Sequence, residues 1–234
     1  MYDREGRLRK AVTMKAVLED FLGKPFNGLS ILVAGGSTGI IDSYLSGHAG
    51  SVIGLDIDTD AVRFAAQSFK SSRLSFIVGD AMNISFPDNR FDIVICSQVY
   101  EHVPDSKKMM AEIYRVLKPG GICYFAAGNR LNIMEPHYRL PFLSIVPKFL
   151  AHFYLRLLGR GNHYYETHFS YWGLTRLVNR FKITDYSAAV IADPVRFGTD
   201  YMVSPGSRKQ KLALLMCRYF FWLLPGYIWI LQRP

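Results

Sequence analysis

The stretch Ser30-Ile31-Leu32-Val33-Ala34-Gly35-Gly36-Ser37-Thr38-Gly39 decides the fold. The run from Ser30 to Ala34 has the pattern of a buried strand, and the glycines after it allow a tight turn whose backbone can approach a ligand closely. A helix following such a turn presents free N–H groups and the positive end of its dipole, which together make a nucleotide-type cradle. Seventeen residues beyond Gly39, the apolar run Ser51-Val52-Ile53-Gly54-Leu55 ends at Asp56. A second parallel strand there sets a carboxylate beside the first loop, able to accept both hydroxyls of a ribose.

Outward from this stretch, strands and helices alternate. Arg9 to Leu22 carries apolar residues at helical spacing and stops before Gly23-Lys24-Pro25, which predicts an amphipathic lead-in helix within residues 1–28. A helix to about Gly47, a helix Ala61–Phe69 capped by Asp58 or Asp60, and a strand Leu74–Val78 ending at Gly79-Asp80-Ala81 come next. Phe91–Cys96 is a fourth strand, Asp105–Leu117 a helix, and Ile122–Ala127 a fifth strand after the break at Lys118-Pro119-Gly120-Gly121. This alternation predicts a parallel sheet with ligand groups at the carboxyl ends of its strands, where Asp56 and Asp80 stand.

Across residues 29–127 these features resemble, in order, the class I S-adenosylmethionine-dependent methyltransferases. The resemblance rests on the Gly35–Gly39 loop, Asp56, Gly79-Asp80-Ala81, Phe91-Asp92 leading to Glu101-His102-Val103, and Leu117-Lys118-Pro119-Gly120-Gly121. It implies a Rossmann-like α/β three-layer sandwich with a mostly parallel seven-stranded sheet, order 3-2-1-4-5-7-6, the last strand antiparallel and helical insertions after strand 5. It also implies S-adenosyl-L-methionine as cofactor. Gly35, Gly36, Ser37 and Gly39 would surround its methionine and ribose, with Asp56 and Ile57 at the ribose. Asp80 and Ala81 would meet the adenine, and Ser97 and Gln98 would line the floor after strand four. Val33 stands where the family usually has an acid, and Ser37 where it has a central glycine. Gly35 to Ile40 also resembles the nucleotide loop of short-chain NAD(P)-dependent oxidoreductases, which carry a further glycine where Ile41 stands and pair a catalytic Tyr with a Lys four residues on. A non-catalytic cofactor-binding protein that kept the fold is also compatible with these residues, as is a nucleic-acid methyltransferase.

The second part of the chain has a different character. Residues 1–128 hold 14 Lys/Arg and 14 Asp/Glu, whereas residues 129–234 hold 14 and 5, so the net charge of +9 lies wholly in the latter. A basic surface suits an anionic substrate, an anionic membrane surface or nucleic acid, and nucleic acid is the least expected because no added recognition module is visible. Asn129 to Arg139 follows strand five, at the end of the sheet that faces a reacting ligand. Here Glu135 and His137 join His102 as candidates to take the proton of an acceptor hydroxyl, since imidazole titrates near neutrality. Tyr138, Arg139, Tyr164, Tyr165 and His168 are candidates for the acceptor pocket.

Residues 128–180 and 192–224 are expected to be acceptor-side insertions, with a helix Pro147–Arg160 and a helix Tyr171–Arg180 capped by Ser170. Residues 181–191 and 226–232 are the expected closing strands. Leu212–Leu231 has the length of a membrane span, but Arg218 and Pro225-Gly226 interrupt it, so a helix followed by a strand is predicted. Basic, aromatic and apolar residues mixed in 147–160 and 208–222 suit peripheral contact with anionic lipid. They predict a small-molecule or lipid-linked acceptor methylated on oxygen. The N-terminus shows no secretory or transit pattern, and Cys96, Cys123 and Cys217 show no metal spacing. The expectation is a cytoplasmic protein with free thiols and no metal, peripheral at the inner face of the membrane.

Overall fold

A computed structural model describes residues 3–135 and 137–234. Strands form where apolar runs are covered on both faces. β1 (Ser30–Ala34) is buried at every position, and β2 (Ser51–Asp56), β3 (Leu74–Val78), β4 (Phe91–Ser97) and β5 (Leu117–Gly128) follow. A small hairpin of β6 (Met134–Glu135) and β7 (Leu140–Pro141) precedes β8 (Lys182–Asp185) and β9 (Gly226–Gln232). The helices are α1 (Arg4–Leu22), α2 (Ile40–Ser46), α3 (Thr59–Ser68), α4 (Ser106–Val116), α5 (Lys148–Leu157), α6 (Tyr171–Leu177), α7 (Ser187–Ala192) and α8 (Arg208–Tyr219). Asp3, Asp58, Asp105 and Ser207 cap α1, α3, α4 and α8 by accepting first-turn N–H groups, each cap stabilising its helix by about 1 kcal/mol.

Among the described residues, one sheet has seven strands in the order β3-β2-β1-β4-β5-β9-β8. β1 to β5 are parallel, and β9 runs antiparallel to β5 and β8. Because β6 and β7 pair outside this sheet, β8 and β9 are its sixth and seventh strands, and the order is the expected 3-2-1-4-5-7-6. One face packs on α1, α2 and α7 through Met14, Leu45 and Val190. The other packs on α4 and α6 through Met109, Ile113 and Leu174. A satellite core of Leu140, Leu143, Ala151, Leu155 and Tyr164 holds the insertion after β5 together.

Several boundaries differ from expectation. The sixth strand spans only β8 rather than 181–191, because the Asp185 carboxylate accepts the Ser187 N–H at 2.8 Å and α7 starts there. α6 stops at Leu177, three residues before Arg180, as the Phe181 N–H turns back to the Val178 carbonyl. α1 begins at Arg4 rather than Arg9 because Asp3 caps it. β5 begins at Leu117, since the stretch expected to be a break still pairs with β4 across a register shift. Leu212–Leu231 divides into the end of α8, a 3₁₀ turn at Phe221–Leu223 and β9. Among the described residues no helix is long and apolar enough to cross a membrane.

Candidate active site

At the carboxyl end of β1, Gly35 and Gly39 take φ of +72° and +76°, a region open to glycine. A Cβ on Gly39 would lie 2.7 Å from the Phe76 ring and 2.8 Å from Ala65, and one on Gly35 would lie 2.7 Å from Val99. The turn is therefore pressed from β3, α3 and the segment after β4. The N–H groups of Gly35 and Gly36 both donate to the Leu55 carbonyl, at 2.8 and 3.1 Å. Asp56 adjoins them: its Oδ2 accepts the Ser37 N–H at 2.7 Å and its Oδ1 the Asp58 N–H at 2.9 Å. Each oxygen keeps a lone pair for a further donor. Ser37 has φ +50°, the left-handed conformation a glycine would adopt freely.

Ile57 stands exposed at the same lip. Beyond β3, Asp80 closes its own turn, Oδ1 accepting the Met82 N–H at 2.8 Å, and the neighbouring Ala81 is buried. Beneath the loop, Asp42 of α2 is fully buried with neither carboxylate oxygen hydrogen-bonded among the described residues. Burial pushes its pKa up to about 7.

Tyr100 ties the next part of the site together. Its hydroxyl donates to the Gly128 carbonyl at 2.7 Å and accepts the Phe169 N–H at 3.1 Å, while the Thr167 N–H donates to the Glu101 carbonyl at 2.8 Å. These bonds tie residues 100–101 to Gly128 and to 167–169, and the hairpin that carries Glu135 and His137 lies beside them, His137 against His102 and Glu135 near His168. Glu101, Glu135, Glu166 and His168 are buried, and His102 and His137 form an exposed rim.

Glu135 accepts from His137 Nδ1 and from the Tyr138 N–H, both at 2.7 Å, and His168 Nε2 stands 3.7 Å away. Burial disfavours the Glu135 carboxylate, yet the bonds from His137 and Tyr138, with the His168 imidazole close by, outweigh it and bring its pKa down to about 2. Glu135 in turn raises the pKa of His137. The His102 ring, its centroid 4.8 Å from that of His137, is shifted down by burial and by that neighbour. Burial raises the pKa of Glu101.

A cavity of about 530 Å³ opens beside this cluster, lined by Met14, Gln98, Asn129, His137, His168 and Met202 among others. Ser97 also borders it. The Asn129 amide fixes its far wall, donating to the carbonyls of Trp222 at 2.9 Å and Leu224 at 2.8 Å. Of the residues expected in an acceptor pocket, His168 alone lines this cavity. Tyr138 and Tyr164 instead pack edge to face at 5.8 Å in the satellite core, and Arg139 and Tyr165 face solvent. Sequence reasoning passed over Glu101, Glu166, Asp42 and the α1 wall. Glu101 had a signal, its place beside His102, whereas the apolar stripe of α1 is indistinguishable from ordinary core spacing.

Residues 32–125 match a family model described as a methyltransferase domain. The demethylmenaquinone methyltransferase of Geobacillus sp. (strain WCH70) is 37% identical over 108 residues, 44% of this chain and 46% of that protein. Over residues 32–125 the chain thus carries a methyltransferase domain, of the S-adenosylmethionine-dependent kind. The ubiquinone biosynthesis O-methyltransferase of Thiobacillus denitrificans is 30% identical over 145 residues, 60% of this chain and 58% of that protein. The matched stretches thus span about half the length of these curated relatives. An S-adenosylmethionine-dependent methyltransferase from Mesorhizobium loti shares the fold at TM-score 0.59 and 15% identity, over 93% of this chain and 98% of that one.

The oxidoreductase likeness of Gly35–Ile40 ends at the loop. Tyr114 and Lys118 have the spacing of that catalytic pair, but they lie at the opposite end of the sheet. There Lys118 Nζ pairs with Asp92 at 2.7 Å and the Tyr114 ring packs under Arg180 and Arg233. S-adenosylmethionine, the cofactor of this domain class, fits the residues present. The turn leaves the backbone of Gly35 and Gly39 bare where a Cβ would be crowded, and Asp56 keeps acceptor capacity for a diol.

Proposed function

We propose that the protein transfers a methyl group from S-adenosylmethionine to an oxygen of a hydrophobic small molecule, quinone-like or lipid-linked, reached from an anionic membrane surface. The observation that carries this reading is the cavity of about 530 Å³, which runs from Gln98 at the end of β4 to His137 and His168. When bound, the cofactor supplies a methyl group activated on a sulfonium, so the chain has chiefly to align the acceptor and keep water out. Gly35, Gly36, Ser37 and Gly39 would hold the methionine and ribose, Asp56 and Ile57 the ribose, and Asp80 and Ala81 the adenine. Ser97 and Gln98 would form the floor on which the acceptor meets it. His137, fixed by Glu135 through Nδ1, has its other ring nitrogen free to take the acceptor's hydroxyl proton, with His102 beside it.

The names of the two relatives support an acceptor of quinone chemistry. The surface supports presentation from lipid. α5 exposes Phe149, Phe153 and Leu157 at helical spacing with Arg156 and Arg160 alongside, and the part-exposed rings of Trp172 and Trp222 pack against each other, tilted, at 5.6 Å. The test is incubation with methyl-labelled cofactor and a short-prenyl hydroxyquinol, followed by mass spectrometry of the product. Label on the acceptor oxygen is expected. Cofactor binding without transfer to any quinol or lipid-linked phenol would favour the non-catalytic binding protein, and label in nucleic acid would replace the acceptor class.

A further inference from the structure

The sequence suggests no metal, because the cysteines have no ligand spacing. The folded chain nonetheless brings histidines and glutamates from three separate segments to one point. One ligand atom each of Glu101, His102 and His137 lies within 4.8 Å of the others, and a second group, Glu135, His137 and His168, shares His137. We propose that Glu101, His102 and His137 bind one divalent first-row transition-metal ion, with Glu135 positioning His137.

The burial pattern is independent support. Glu101 is 1% exposed and neither of its carboxylate oxygens has a hydrogen-bond partner among the described residues. His168, at 7% exposure, likewise has no hydrogen bond at either ring nitrogen among the described residues, its Nε2 standing 3.7 Å from Glu135. A buried carboxylate facing imidazoles with nothing to satisfy it is costly unless it is neutralised or binds a cation. Glu135 is already engaged, accepting His137 Nδ1 and the Tyr138 N–H. It therefore acts as the orienting carboxylate that metal-bound histidines commonly have behind them, and it leaves His137 a second nitrogen to offer.

Metal–ligand bonds of about 2.0–2.2 Å require donor atoms roughly 3–4 Å apart, so small side-chain rotations close the group. The exposed rim of His102 and His137 gives the ion a way in. Two imidazoles with one carboxylate favour zinc, manganese, iron or cobalt over magnesium or calcium. An ion held there would adjoin the cavity that His137 lines. Here the inference rests on the proposed function: the cation's charge would favour the ionised form of an acceptor hydroxyl, its proton leaving to water, and would take over the part that free His137 plays without metal.

Binding is measured without cofactor or acceptor, so its failure is distinct from failure of methyl transfer. The full chain, stripped with chelator, is titrated calorimetrically with zinc or manganese chloride, and cobalt uptake is followed by its visible absorption. Saturable uptake of one ion per chain is expected, with magnesium far weaker. Glu101→Gln and His137→Ala should lose it, and Glu135→Gln should weaken it about tenfold or more. Each variant is checked for its melting transition and for binding of the demethylated cofactor product, which the metal site does not touch. Absence of saturable uptake by the wild type, or equal uptake by folded Glu101→Gln and His137→Ala, overturns the proposal.

Discussion

The ligand face is built by two different means. Around residues 29–128 the turns are tied by backbone groups to the adjacent strand or to a carboxylate beside them: Gly35 and Gly36 to Leu55, Ser37 to Asp56, Met82 to Asp80. Across residues 129–224 the shape is held by side chains reaching between distant segments, as with Asn129 to Trp222 and Leu224, Lys148 to Thr167, and Gln210 to the carbonyls of Ile191 and Ala192. Charge divides in the same place, balanced before residue 129 and basic after it. A backbone-built cradle is specified by a few glycines and suits one unchanging ligand. A side-chain-built wall can be recut for a different acceptor without disturbing the cradle.

A side chain forced into the cradle should break that contrast most severely. Gly39→Val places a branched Cβ against Phe76 and Ala65 at a left-handed φ. Overpacking and backbone strain together are expected to cost about 2–5 kcal/mol in urea melts and to abolish cofactor binding in calorimetry. Unchanged binding would mean that the turn yields as easily as the acceptor side.

The buried acid beneath the cradle comes next. Its folded pKa of about 7 lies above the ordinary 3.8. Below the unfolded value both states hold the proton and its contribution to stability is fully present. As pH rises from there to about 7 the unfolded chain ionises first, and the contribution is lost. At about 1.4 kcal/mol per pKa unit the loss is on the order of 4 kcal/mol. Asp42→Asn should flatten the fall of stability between acid and neutral pH. Parallel pH profiles for the two proteins would show that the carboxyl is satisfied after all.

A smaller effect should separate the halves cleanly. Asp56→Ala removes the acceptor for a ribose diol and the tie to Ser37. Bonds to a charged group are worth about 1.5–3 kcal/mol each, so cofactor affinity is expected to fall about tenfold or more while affinity for the acceptor stays unchanged. Calorimetry with each ligand separately checks both clauses. A loss shared by both ligands would show the two regions to be coupled.

The same division governed what could be known in advance. β1 and β3 have the boundaries that their apolar runs predict, and Asp56 meets the loop as parallel strand order requires. The run 181–191 reads as one strand, but Ala188 to Ile191 suits a helix as well, and the helix forms where Asp185 engages Ser187. The hairpin of β6 and β7 has two residues per strand, too few for any periodicity. Tyr164 and Tyr165 are adjacent, yet one is buried in the satellite core and the other is 74% exposed, a distinction that depends on how the insertion folds back. Glu101, Glu135 and His168 come from three distant segments, two of them tied by the Tyr100–Phe169 and Thr167–Glu101 bonds, a convergence that no local motif announces.

The mildest expected effect lies at the outer edge of the second region. α8 begins with Arg208, Lys209 and Lys211, all exposed, and continues past exposed Leu212, Leu215 and Tyr219. α5 adds Phe149, Phe153 and Leu157 on its outward face, 69%, 63% and 70% exposed, where a water-facing helix would carry polar residues. Each basic residue near an anionic leaflet contributes about 1 kcal/mol, so replacing Arg208, Lys209 and Lys211 by Gln should weaken co-sedimentation with phosphatidylserine vesicles in graded steps. Added salt should mimic the replacement. The cradle's affinity for cofactor should not move, because none of these side chains adjoins it. If the wild type stays in the supernatant at low salt, the basic half serves a soluble anionic acceptor, and the outward stripe of α5 requires a protein partner in place of lipid.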